Sequence, residues 1–65
     1  MKVEFNGKIL NTTATTLAEL LSEQKIDPTC IASAMDGEFV PRSRYNNTLL
    51  REAAKLEILS PMQGG

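Results

Sequence analysis

Apolar and polar residues alternate at the start of the chain: Val3 and Phe5 point one way, Lys2 and Glu4 the other. Period-two alternation predicts a half-buried strand over Met1–Phe5. Asn6-Gly7 follows, a dipeptide suited to a two-residue turn that needs positive φ at both positions. Lys8–Asn11 then resumes as a second strand, so the opening reads as a β-hairpin. At Thr16 the pattern changes period. Leu17, Leu20 and Leu21 fall at i, i+3 and i+4, the apolar face of a helix. Thr16 and Glu19 have the spacing of a capping box, with the hydroxyl accepting from the Glu19 N–H and the carboxylate reaching back to the Thr16 N–H. The helix is expected from Leu17 to about Lys25, with Asp27-Pro28 marking its end.

Cys30–Met35 is a short apolar run closed by the turn pair Asp36-Gly37. Glu38-Phe39-Val40 then predicts a brief return strand that Pro41 ends, placed at a sheet edge because proline cannot donate to a ladder. Ser43–Leu50 has no clear period and reads as a loop with one helical turn. Lys55–Ser60 carries the last alternation and is expected to be the closing strand, with Glu52-Ala53-Ala54 as the turn before it. The order β-β-α-β-β-β predicts a single α+β domain, a mixed sheet curled around one helix. We place that domain at residues 1–60 and a flexible tail at 61–65.

Composition narrows the function. Seven Lys and Arg against eight Asp and Glu leave a formal net charge of −1, without the basic excess of a nucleic-acid binder. A hydrophobic share of 42% with 23% charged residues is ordinary for a folded chain. With 65 residues, a fold buries only about 60% of the surface its unfolded chain exposes, leaving little room for an enclosed active site. One cysteine and no histidine argue against an internal disulfide and against a conventional zinc site, and fit a reducing cytoplasm. No apolar run approaches the roughly 20 residues of a membrane span. No nucleophile–base constellation is present in the pattern, so an independent enzyme is disfavoured.

The candidate chemistry lies at the end. Pro61-Met62-Gln63-Gly64-Gly65 finishes in two residues without side chains, able to thread a narrow channel. The reactive group at the tip is the α-carboxylate of Gly65. A carboxylate becomes an acyl donor once attack on the α-phosphate of ATP converts one oxygen into a leaving group. Such an end suits a carrier whose catalyst lies in a partner.

These residues bring the whole chain to a resemblance. Val3-Glu4-Phe5-Asn6-Gly7, Thr16-Leu17-Ala18-Glu19-Leu20-Leu21, the hairpin Ala32–Val40 with Pro41-Arg42, and Leu56-Glu57-Ile58 ahead of Gly64-Gly65 resemble the ThiS-type sulfur carriers of thiamin thiazole biosynthesis, within the ubiquitin-like β-grasp superfamily. The family commonly places an acidic-Gly-Asp turn before its last strand, where this chain has Arg51-Glu52-Ala53-Ala54. The resemblance implies that an E1-like adenylyltransferase, using ATP and Mg, adenylates Gly65. Sulfur from a persulfide donor then displaces AMP, and the resulting thiocarboxylate passes its sulfur to thiazole synthase. The carrier itself would bind no cofactor, and Gly64, Gln63 and Met62 would thread the partner's active site. Other readings are a carrier resembling the small subunit of molybdopterin synthase, a protein-conjugating modifier of ubiquitin type, and a plain interaction module.

Remaining residues are expected to be structural. Cys30 reads as a small buried hydrophobe, Met35 and Phe39 as core, Tyr45 as a loop anchor with a wet hydroxyl, and Arg42 and Arg44 as solvated. Leu59 falls opposite Leu56 and Ile58 by period two, and with Leu10 and Met62 it is expected to form an exposed apolar patch that docks a partner.

Overall fold

The structure, a computed structural model, describes residues 1–60. Strands β1 (Lys2–Phe5), β2 (Lys8–Asn11), β3 (Ala32–Met35), β4 (Glu38–Val40) and β5 (Lys55–Leu59) form one sheet in the order β2-β1-β5-β3-β4. Helix α1 spans Leu17–Glu23. The last strand is therefore central, running parallel to β1 and antiparallel to β3. This is the mixed sheet with one helix that the element order predicts, and β4 lies at an edge.

Both hairpins close through two residues in the left-handed region: Asn6 and Gly7 at φ 50 and 84, Asp36 and Gly37 at φ 53 and 86. A Cβ at either glycine would meet nothing within 4 Å. The glycines are needed for their backbone angles rather than for space.

Helix α1 begins as its sequence suggests and ends earlier. Thr16 caps it by accepting from the Glu19 N–H at 3.2 Å. The Glu19 carboxylate, however, reaches past Thr16 to Thr15, accepting from its backbone N–H at 2.7 Å and its hydroxyl at 2.9 Å. Termination does not wait for Pro28. Lys25 turns left-handed at φ 59, the Ile26 N–H donates to the Leu21 carbonyl at 2.9 Å and the Lys25 N–H to the Ser22 carbonyl at 3.0 Å. These two bonds make a Schellman closure without glycine. Pro28 instead opens a short 3₁₀ helix, Pro28–Cys30, capped by Asp27.

The core lies between α1 and one sheet face. Leu17, Leu20 and Leu21 meet Val3, Leu56 and Ile58, with Val40, Leu50 and Ala54 completing it. The 3₁₀ segment Arg42–Asn47 adds Tyr45, which is buried, not a loop anchor with a wet hydroxyl. Its hydroxyl accepts from buried Ser33 Oγ at 3.0 Å, so the pair is satisfied internally. Two backbone bonds of 2.9 Å, Leu17 N–H to the Thr48 carbonyl and Leu50 N–H to the Thr15 carbonyl, tie the segment after it to the helix start. The turn before β5 carries Ala53 at φ 66, a left-handed backbone angle that alanine adopts at a cost.

Candidate functional site

Alternation along each strand divides the sheet into two unequal faces. One face is covered by α1; the other carries exposed Ile9, Phe39 and Leu59. Register fixes their neighbours. Phe39 lies opposite Ala34, Ala34 opposite Glu57, and Ala32 opposite Leu59. Phe39 and Leu59 are 71% and 66% exposed and flank a shallow concavity of about 190 Å³ floored by Ala32 and Ala34, with Glu57 at its rim. The small alanines leave the two large side chains standing proud. This patch lies where β5 ends and the chain leads to Pro61.

That geometry corrects two expectations. Leu10 is not beside Leu59: it pairs with Val3, on the helix-covered side, and packs partly buried against the core. Ile9 holds the outer position on β2 instead, opposite Glu4. Phe39 is not core, because its neighbour Val40 takes the inward position opposite Ser33. The two-residue turn Asp36-Gly37 sets the pairing, so only one of Phe39 and Val40 can face the helix. Met35 does pack against the core.

Cys30 is exposed rather than buried, because the 3₁₀ turn after Pro28 carries it outside the sheet. Its thiol donates to Asp27 Oδ2 at 3.7 Å. Asp27 also accepts from the Thr29 hydroxyl at 2.7 Å and the Thr29 N–H at 2.9 Å, and these bonds hold its carboxyl below the usual range. Glu19 is lowered similarly, first by the Thr15 N–H and then by the Thr15 hydroxyl. Both carboxylates stabilise turns. Among the described residues no cluster of three His, Cys, Asp or Glu side chains converges, and no helix is long and apolar enough to cross a membrane.

Met62, Gln63, Gly64 and Gly65 lie outside the described residues. What the structure does show is how the strand leading to them is held. Beyond its ladders, β5 receives the side chain of Asn6, which bonds both the N–H and the carbonyl of Ile58. Sequence reasoning treats Asn6 only as a turn former. Its distant bonds depend on which strand lies beside β1.

Comparison with known proteins adds a second line. The model of the ThiS family matches residues 2–65, which includes the Gly64-Gly65 end. No curated protein matches the chain. Among solved structures, the crystal structure of a thiamine biosynthesis protein (ThiS) from Geobacter metallireducens is similar, with a TM-score of 0.85 and 26% identity over 100% of both chains. A solution structure of a thiamine biosynthesis protein from the same organism has a TM-score of 0.79 and 26% identity, covering 100% of this chain and 88% of the other.

Proposed function

The chain belongs to the ThiS family, and from that membership we propose that it is a sulfur carrier of thiamin biosynthesis whose working group is the α-carboxylate of Gly65. The observation that carries the reading is a family match running through Gly64-Gly65 on a chain whose whole fold superimposes on a ThiS structure. In this role the protein is a substrate, not a catalyst. A cytoplasmic setting goes with it, where an exposed thiol such as Cys30 stays reduced.

The chemistry balances in four steps. A Gly65 carboxylate oxygen attacks the α-phosphorus of ATP on an E1-like adenylyltransferase, with Mg as the partner's ion, and pyrophosphate leaves. A persulfide sulfur attacks the acyl carbon and expels AMP, forming an acyl disulfide. A second thiol cleaves that S–S bond, taking the donor's sulfur as a disulfide and releasing the thiocarboxylate. On thiazole synthase the thiocarboxylate sulfur then bonds to the acceptor substrate's carbon, and an oxygen nucleophile attacks the acyl carbon and breaks its C–S bond, so that the sulfur stays on the substrate and the Gly65 carboxylate is restored. Met62, Gln63 and Gly64 are the residues we assign to the partner's channel, where glycine at the tip lets the backbone approach closely.

The carrier must be held while its end is processed. We assign that role to the outer-face patch of Phe39, Leu59, Ala32 and Ala34. It adjoins the end of β5, so a partner gripping it sits next to the departing chain.

The test is the intact mass of the full chain after incubation with ATP, Mg, a ThiS-type adenylyltransferase and a persulfide source. The expected result is a gain equal to one oxygen exchanged for sulfur, absent from a chain lacking Gly65. No gain, with an adenylyltransferase active on its own carrier, overturns the reading.

A further inference from the structure

β1 leaves the sheet at Asn6, where the turn through Gly7 sends the chain back into β2. The ladder between β1 and β5 reaches its last backbone bond there, Asn6 N–H donating to the Leu56 carbonyl at 2.9 Å. Farther along β5, the N–H and carbonyl of Ile58 face the same edge, toward the place a longer β1 would occupy. The Asn6 carboxamide fills that place. Its Oδ1 accepts from the Ile58 N–H at 2.8 Å, and its Nδ2 donates to the Ile58 carbonyl at 3.2 Å. A side-chain amide thus stands in for the backbone amide of a missing strand residue. Ile58 directly precedes Leu59 of the outer patch.

We propose that Asn6 is a positioning residue for the carrier's end: it latches β5 at Ile58, keeping Leu59 on the outer face and fixing where the chain departs toward Gly65. Without the latch, the end of β5 is held on one side only, by its pairing with β3 at Ala32–Leu59. The consequence for presentation rests on the carrier reading above; the latch itself does not.

Two substitutions separate the latch from the turn. Asn6 has φ 50, which glycine and aspartate also accept. Asn6→Gly keeps the turn and removes both side-chain bonds. Asn6→Asp keeps turn and shape but sets an oxygen against the Ile58 carbonyl. The experiment uses the full chain, comparing amide hydrogen exchange at Ile58 with that at Glu4, whose N–H is held by the Ala54 carbonyl. Asn6→Gly is expected to exchange at Ile58 about tenfold faster than wild type with Glu4 little changed, the factor expected for losing such bonds locally; Asn6→Asp, which keeps an acceptor for the Ile58 N–H and loses only the bond to its carbonyl, is expected to exchange at a rate between the two. In the adenylyltransferase reaction, KM for the carrier is expected to rise about fivefold, with kcat within about twofold, because docking is impaired and the terminal carboxylate is chemically unaltered. Unchanged exchange at Ile58 overturns the latch. Faster exchange with unchanged KM overturns its role in presentation. If the wild-type chain gains no sulfur beside an active enzyme, the carrier reading fails instead, and the exchange data still decide the latch.

Discussion

The two faces of the sheet are made from the same strands and carry comparable apolar side chains, yet only one is a core. On β5, Leu56 and Ile58 are buried while Leu59 is exposed; on β4, Val40 is buried while Phe39 is exposed. The difference is the helix. Among the described residues, the seven-residue α1 covers one face, while Phe39 and Leu59 on the other stay exposed to water or a partner. Identical chemistry therefore stabilises the fold on one side and remains available for association on the other.

The sharpest way to break this contrast is to truncate one residue on each side. Leu20 is fully buried, and Leu20→Ala is expected to cost about 3 kcal/mol of unfolding free energy. Phe39→Ala, on the open face, is expected to cost less than about 0.5 kcal/mol in the same denaturant titration. Comparable losses would mean that the outer face is covered. Leu59→Glu sharpens the comparison from the other direction. It is expected to leave stability within about 0.5 kcal/mol while weakening adenylyltransferase binding at least tenfold by calorimetry.

A smaller effect is expected where the covered face holds a polar pair. Ser33→Ala removes the donor to Tyr45 and leaves a buried hydroxyl without that partner, costing about 1–2 kcal/mol. Smaller still is a gain. Ala53→Gly relieves a left-handed alanine at φ 66 and is expected to add about 0.5–1 kcal/mol, after the extra entropy of glycine in the unfolded chain is offset. Its check is the midpoint of the same titration.

The weakest expected effect lies on the helix margin, in water. Glu19 and Asp27 have folded pKa values below their ordinary ones, so their contributions are fully present above the unfolded carboxylate range near about 4. They are lost as pH falls through the lower folded values. Stability should be flat in this respect from neutral pH to about 5 and decline below about 4, less steeply in Glu19→Gln. An equal slope in the variant would show that the Thr15 bonds add nothing.

Much of the architecture was legible because local signals are strong where they need no distant partner. Asn6-Gly7 and Asp36-Gly37 announce their turns, since few other pairs accept positive φ twice. Leu17, Leu20 and Leu21 announce a helix face, and Leu56 and Ile58 an inward strand face. The misreadings share one cause. Residue type alone misplaces Phe39, Cys30 and Tyr45, and a guessed strand neighbour misplaces Leu10, whereas burial depends on which side of the sheet is covered and what lies across it. Tyr45 looks like a loop residue until Ser33 is found opposite its hydroxyl. The helix ends early because Lys25 turns left-handed, a choice rewarded by the Ile26–Leu21 bond and invisible in propensity.

The sequence by itself determined the two tight turns, the helix face, the places of the strands and the Gly64-Gly65 pair, because turn angles, side-chain alternation and the absence of a Cβ are local properties of the chain. Only the tertiary structure decided that β5 lies between β1 and β3, that Phe39 and Leu59 share the uncovered face, and that Asn6 reaches Ile58. Those facts require residues far apart in the chain to meet, and that meeting is settled by packing the one helix against the one sheet.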